Sequence, residues 1–293
     1  MTELICVEGN IFAKLEMNNP GGSHKYRAAK HIIEKSIITG KIIQGKTTVI
    51  EKTGGNFGFG LIAACSRYDV KVDLAVGLSF SQRKRDSLEF YGANLIGKDM
   101  LADGLTPKDV VQYHIENQEK LGKQYFYTDQ FNNYCGVDAH RQGTGVELVE
   151  QLHQKGIFGN LIFIGCAGTG ASFAGTTMAL RDAGFCVKNI LVEPNGCDMF
   201  SNIFVDHRME GASVGVVAPF LDRSMINLLQ KVSLPEILNA QRWFFDRTGL
   251  FLGNSSAAVV AAIRENISSG FYENVPFVML AYDNALWYDD VFE

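Results

Sequence analysis

Asn19-Pro20-Gly21-Gly22-Ser23-His24-Lys25-Tyr26-Arg27 sets a lysine directly after a Pro-Gly-Gly-Ser turn, where the helical pattern Tyr26 to Lys35 begins. An amine in that position meets backbone N–H groups and the positive end of a helix, which disfavours its charged form and lowers its pKa. The neutral amine is the form that condenses with an aldehyde, so the position suits a lysine that forms a Schiff base. A lone lysine is usually a solvated surface charge. Three further segments give this one its weight.

The 293 residues are more than one simple core needs, and two domains are expected. The chain is 46% hydrophobic and 20% charged, with a net charge of -5, which fits a globular protein and lacks the basic footprint of a nucleic-acid binder. The six cysteines form no CxxC pair and no cluster with histidine at metal-ligand spacing, so no metal site is expected. No basic region followed by an apolar run opens the chain, and no uninterrupted apolar stretch matches a bilayer. A cytoplasmic compartment, no membrane partner and mostly buried thiols are the corresponding expectations.

Short β-rich runs alternate with helical patterns. Strands are expected at 11–16, 47–52, 72–76, 94–97, 125–128, 161–165, 189–193 and 277–282. Helices are expected at 25–36, 56–67, 81–91, 109–120, 138–154, 171–182, 234–247 and 256–266, with Gly143 and Gly145 as weak points of the long one. Such alternation predicts parallel sheets covered by helices, an α/β architecture. Residues 198–229 show no clean period and read as a long functional connection with some helix in it.

Ligands of open α/β sheets bind beyond the carboxyl ends of the strands, and three more loops lie at or near such places. Thr53-Gly54-Gly55-Asn56-Phe57-Gly58 joins a strand to a helix; its glycines allow close backbone approach, and Asn56 reads either as a ligand contact or as the helix N-cap. Gly168-Thr169-Gly170-Ala171-Ser172 offers clustered N–H groups and two hydroxyls at a helix start, a phosphate cradle that lacks the lysine of a P-loop. Gly253-Asn254-Ser255-Ser256-Ala257-Ala258 opens a helix of small residues and reads either as a serine cap or as a place where a flat cofactor meets the backbone.

Taken together and in order, these segments resemble the fold-type II pyridoxal-phosphate enzymes, specifically the cysteine synthase/cystathionine β-synthase group. Ala13 to Lys25 is similar to the signature around that group's Schiff-base lysine. Thr53–Gly58 resembles its TSGNTG loop, Gly168–Ser172 its GTGGT loop and Gly253–Ala258 its GISSGA loop. Weaker matches are Gln130-Phe131, Val192-Glu193-Pro194, His207 to Gly211, and Thr2-Glu3-Leu4 at a short N-terminus. The resemblance implies a tryptophan synthase β-like fold of two open parallel-sheet domains with the cofactor between them: a smaller one over 19–135 and a larger cofactor-binding one made of 1–18 and 136–293. It also implies a homodimer.

The implied chemistry starts with pyridoxal 5'-phosphate held on Lys25. The freed amine removes the substrate's Cα proton, the cofactor acts as electron sink, and a β-leaving group departs to give an α-aminoacrylate. Cofactor contacts are implied for Lys25, Asn56, Gly168, Thr169, Gly170, Ala171, Ser172, Ser255 and Asn284, and substrate contacts for Thr53, Gly54, Gly55, Asn56, Phe57 and Gln130. Three positions depart from the family pattern. Asn284 stands where the family places a serine beside the pyridine nitrogen; a neutral amide does not hold that nitrogen protonated, which favours chemistry at Cβ over transamination. Gly54 and Phe57 replace a serine and a threonine, removing two hydroxyls near the substrate carboxylate, each hydrogen bond being worth on the order of 1.5–3 kcal/mol. The main expectation is β-replacement or β-elimination on a serine- or cysteine-derived amino acid. The alternatives are a dehydratase-type deaminase that releases keto acid and ammonia, and a catalytically weakened regulatory partner.

Overall fold

The computed structural model describes residues 1–270, 272 and 274–287. In chain order its elements are β1 (Leu4–Glu8), β2 (Ile11–Lys14), α1 (Lys25–Ile38), β3 (Thr47–Lys52), α2 (Asn56–Cys65), β4 (Lys71–Ala75), α3 (Gln82–Phe90) and β5 (Ala93–Leu95). There follow α4 (Lys98–Ala102), α5 (Pro107–Glu116), β6 (Gln124–Tyr127), α6 (Cys135–Ala139), α7 (Val146–Gln154), β7 (Asn160–Gly165), α8 (Ala171–Asp182) and β8 (Cys186–Pro194). The last are β9 (Leu228–Val232), α9 (Leu234–Thr248), α10 (Asn254–Ser268) and β10 (Phe277–Leu280). They form two compact units: Pro20–Gly136, and Met1–Asn19 with the described residues from Val137 onward.

The smaller unit is built on a four-stranded sheet in the order β5-β4-β3-β6, all parallel. Ile50 of β3 packs with Ala75, Ile96, Leu101, Val110 and Val111 on the side of α4 and α5. α5 starts two residues before the expected Asp109, because Thr106 caps it: the Thr106 hydroxyl accepts from the Asp109 nitrogen and the Asp109 carboxylate accepts from the Thr106 nitrogen.

The larger unit has a six-stranded sheet in the order β1-β2-β10-β7-β8-β9. Only β1 runs antiparallel; it forms a hairpin with β2. β7 and β10 are buried on both faces, as their near-continuous apolar runs require of central parallel strands. β1 and β9 lie at the two edges, where their mixed sequences hid them from periodicity. Thus the segment 198–229, expected as connection throughout, yields its last two residues to β9.

Two polar clusters tie the chain's first residues into this unit. Lys14 is 0% exposed, and its ammonium donates to the Thr2 carbonyl at 2.7 Å, to Glu147 Oε2 at 2.8 Å and to Gln151 Oε1 at 2.8 Å. The buried Glu16 carboxylate accepts from the Thr2 hydroxyl at 2.8 Å and from the Asn19 amide at 3.0 Å. Three acceptors satisfy the buried ammonium, as a charge at that depth demands.

The long helix expected over 138–154 is broken. α6 and α7 flank a π-helical segment, His140–Gly145, that coincides with the two weak glycines. Close packing on α8 accounts for the distortion. At Gly175 of α8 a β-carbon would stand 2.8 Å from the Arg141 nitrogen and 2.8 Å from His140 Cβ, and closer still to the Val137 carbonyl. The helix and the π segment therefore meet backbone to backbone. Gly175→Ala should destabilise the protein by about 1–3 kcal/mol despite alanine's higher helix propensity, because overpacking outweighs propensity here. Urea unfolding measures this, and an unchanged or raised midpoint would contradict the contact.

Candidate active site

Lys25 is the first residue of α1. Its backbone nitrogen donates to Ser23 Oγ at 3.3 Å, and the Tyr26 nitrogen donates to the Ser23 carbonyl at 3.3 Å, so Ser23 shapes the turn into the helix. The turn sits directly on α2. A β-carbon at Gly60 would stand 3.0 Å from the Tyr26 nitrogen and 3.1 Å from the Lys25 carbonyl carbon. One at Gly21, whose φ is +72°, would stand 2.9 Å from the Phe59 carbonyl oxygen. Burial lowers the Lys25 amine to about 8. The sequence pointed to such a lowering through the helix dipole; the structure assigns it to desolvation. A pKa near 8 leaves roughly a tenth of the amine neutral at pH 7, several hundredfold more than for an ordinary lysine.

α2 also carries the loop Thr53–Phe57. Gly55, not Asn56, is its N-cap, so Asn56 is the first helical residue and does not cap the helix with its side chain. Phe57 is 2% exposed; its ring is buried. Gly54 stands against Val76 and Phe80: a β-carbon there would lie 2.6 Å from Val76 Cγ1 and 2.7 Å from Phe80 Cγ. The space left by the missing serine side chain is therefore filled by another residue.

Gln130 is joined to the base of this loop by a residue that sequence reasoning overlooked. Glu51, the fifth residue of β3, is 0% exposed. Its Oε2 accepts from the Thr128 hydroxyl at 2.5 Å and the Gln130 nitrogen at 3.2 Å, and its Oε1 accepts from the Lys52 nitrogen at 3.0 Å. One carboxylate thus spans the ends of β3 and β6. The signal was available: an acidic residue inside an otherwise buried parallel strand needs several donors.

In the larger unit, Gly168–Ser172 opens α8. Gly170 is the N-cap with a φ of +83°, and the first turn contains no acidic side chain. The Ala171 nitrogen donates to Thr169 Oγ1 at 3.3 Å. The segment without period wraps this loop: the Phe220 nitrogen donates to the Thr169 carbonyl at 3.1 Å, the Ser213 nitrogen donates to the Ala167 carbonyl at 3.0 Å, and the Gly211 carbonyl abuts Gly168. Glu193 at the end of β8 fixes the wrap, accepting from Ser213 Oγ at 3.2 Å, the Met199 nitrogen at 3.0 Å and the Lys231 ammonium at 2.7 Å.

The Ser255 loop holds the same wrap from another side. Asn254 Nδ2 donates to the Arg208 carbonyl at 2.7 Å and Ser255 Oγ to the Glu210 carbonyl at 3.3 Å. Gly253, rather than a serine, is the N-cap of α10. Ser256 Oγ instead accepts from the Tyr282 nitrogen at 2.8 Å, while the Tyr282 hydroxyl accepts from the Cys166 nitrogen at 3.0 Å. Tyr282 so links the ends of β7 and β10, a role its sequence position did not announce. Asn284 forms a bridge with Leu252, and its Oδ1 accepts from the Leu286 nitrogen at 2.9 Å. The Asn284 NH₂ is a neutral hydrogen-bond donor.

The residues present fit pyridoxal phosphate. α8 presents N–H donors and the hydroxyls of Thr169 and Ser172 free of any acidic side chain in its first turn, Lys25 supplies an amine of lowered pKa, and Asn284 supplies a neutral donor. Among the described residues no group of three or more His, Cys, Asp or Glu is arranged to hold a metal, and no helix is long and apolar enough to cross a membrane.

The fold and these sites define an enzyme of pyridoxal phosphate. The model of the family described as pyridoxal-phosphate dependent enzyme matches residues 2–280, and the chain belongs to that family. It is 30% identical over 257 residues to the O-acetylserine dependent cystathionine beta-synthase of Bacillus subtilis, covering 87% of this chain and 80% of that one. It is 29% identical over 278 residues to the cystathionine beta-synthase of Saccharomyces cerevisiae, covering 90% of this chain but only 53% of the yeast protein, about half its length. Among solved structures, the O-acetylserine dependent cystathionine beta-synthase of Helicobacter pylori superposes with a TM-score of 0.79 at 28% identity, over 97% of this chain and 92% of that one.

Glu51 carries a pH prediction. Burial pushes its carboxyl up to about 7 from 4.5, and the nearby Asp129 adds to the rise, against the lowering effect of the Thr128, Lys52 and Gln130 donors. Between 4.5 and about 7 the folded chain then binds more protons than the unfolded chain. The stability tied to this proton is complete below 4.5 and lost as pH rises through about 7. Compared with Glu51→Gln, the native protein should lose stability across that window in urea unfolding. A difference between the two proteins that stays constant with pH would contradict it.

Proposed function

We propose that the chain catalyses pyridoxal-phosphate-dependent β-replacement, or net β-elimination, on a serine- or cysteine-derived amino acid. The observation that carries this reading is the seating of the Lys25 turn on α2, the helix whose own start presents Thr53–Phe57. A reactive amine and a carboxylate-binding loop are thereby built on one backbone contact. The printed names of the relatives, O-acetylserine dependent cystathionine beta-synthase among them, support the same reaction class.

In this reading the larger unit holds phosphate and ring through Gly168, Thr169, Gly170, Ala171, Ser172, Ser255 and Asn284. Lys25 carries the reactive amine, and Thr53, Gly54, Gly55, Asn56, Phe57 and Gln130 are the substrate contacts. The bound cofactor supplies an electron sink for negative charge developing at the substrate's Cα. Lys25 would hold the cofactor aldehyde, and its free amine would take the Cα proton as general base. The α-carboxylate is held by main-chain N–H groups at the start of α2, where the helix dipole favours an anion. Asn284 donates to the ring nitrogen without protonating it, which directs bond breaking toward Cβ. A cytoplasmic homodimer completes the proposal.

Borohydride reduction of the holoenzyme followed by peptide mapping should place the label on Lys25. Lys25→Ala should lower turnover by about 10²–10⁴-fold. A label on another lysine would refute the assignment. Release of keto acid from the amino acid alone, at a rate indifferent to any added nucleophile, would decide for net β-elimination over β-replacement.

A further inference from the structure

Phe80 lies in the turn that precedes α3: its nitrogen donates to the Gly77 carbonyl at 3.2 Å, and Ser81 caps the helix, accepting from the Lys84 nitrogen at 3.3 Å. An apolar residue just before an N-cap often packs on the fourth residue of its helix. Here that residue is Arg85, whose guanidinium donates to the Leu78 carbonyl at 3.1 Å. The Phe80 ring packs instead on Gly54, within the loop that the proposed reaction uses for the substrate. Val76 closes the other side; it is buried and β-branched, so it has little freedom to give way. The atom of Phe80 nearest Gly54 includes Cγ, the first of the ring, so small adjustments at the ring's far edge do not make room. Any side chain at 54 has to displace the whole ring. Phe80 itself is half-buried.

We infer that Gly54 and Phe80 form a paired specificity element: Phe80 takes the place of a side chain at 54 and gives the carboxylate-binding loop an apolar wall. The donor carboxylate is then bound by main-chain N–H groups and Asn56 rather than by a hydroxyl at 54. This assignment rests on the β-replacement reading above. A serine at 54 then does not simply restore the lost hydroxyl contact. With Phe80 in place, the serine has nowhere to stand.

The test is a cycle of four holoenzymes: native, Gly54→Ser, Phe80→Ala and the double variant. Gly54→Ser alone should lower kcat/KM for the amino-acid donor on the order of tenfold or more, since displacement of a binding loop carries that scale of loss. In the Phe80→Ala background the same substitution should cost less than about threefold, a coupling that independent sites do not show. Phe80→Ala should also change the ratio of kcat/KM for O-acetylserine over cysteine as donor. Equal losses in both backgrounds would overturn the pairing, and coupling without any change in donor ratio would reduce Phe80 to a packing partner. Unfolding midpoints of the four proteins separate this inference from the reaction assignment. If the native protein turns over no β-substituted alanine, the reaction is misassigned, and the pairing still stands or falls on whether Phe80→Ala relieves the destabilisation caused by Gly54→Ser.

Discussion

The smaller unit depends on one contact, that of the lysine turn with α2. Helices with ordinary side chains at their interface pack 8–10 Å apart, which is too far for backbone atoms to touch. Gly60 and Gly21 remove the β-carbons that would enforce this distance, and the starts of α1 and α2 meet main chain to main chain. That contact fixes where Lys25 begins its helix relative to the loop at the head of α2. A flexible lysine held by side-chain contacts alone could not be so placed, since its four-carbon stem has about 2 kcal/mol of rotamer entropy to lose. Burial there also changes its acidity, so the same packing sets both position and protonation.

The larger unit solves a similar problem with polar atoms. A phosphate-binding turn must leave its N–H groups pointing at the ligand, so its carbonyls and flanks need other partners. The segment 208–221 supplies them, and is itself held by Asn254, Ser255 and Glu193. Ser255, read from sequence as a cofactor contact, spends its hydroxyl on the Glu210 carbonyl. That bond helps hold the segment against the start of α10. Glu193 is buried and paired with Lys231, and its remaining capacity is taken up by Ser213 and the Met199 nitrogen. A half-satisfied carboxylate at that depth would cost more than it contributes.

Much of this was legible in the sequence because periodicity reports burial. β3 and α8 fall at their expected bounds, since one opens with a run of β-branched residues and the other begins at a glycine that only a turn accommodates. β1 and β9 escaped because an edge strand is buried on one side only and mixes charged with apolar residues. The break at His140–Gly145 was visible as weakness but not as a π turn, because its cause is Gly175, thirty residues away in the chain. Among the site residues, the loops were readable because glycine density marks close backbone approach. Glu51 and Tyr282 were not, because each acts through partners from distant segments of the chain: Thr128 and Gln130 for one, Cys166 and Ser256 for the other.

The departures from the family pattern share a physical theme, the replacement of hydroxyls by groups with a single option. A serine hydroxyl both donates and accepts, and rotates to suit its neighbour. Asn284 accepts from the Leu286 nitrogen through Oδ1, which ties the amide into the turn. Gly54 offers nothing but its backbone, and Phe80 occupies the space above it. Each change trades adaptability for a fixed environment. A hydroxyl can follow a substrate through small shifts in position, whereas an amide locked in a turn and a ring wedged against glycine cannot. Such a site accepts fewer geometries and rejects a poorly matched donor by exclusion rather than by a missing bond, and exclusion acts on shape. In the proposed reaction the chemistry at Cα needs neither hydroxyl, because it draws on the amine, the bound cofactor and main-chain N–H groups. On the same proposal, what the substitutions alter is the choice of amino acid that reaches them.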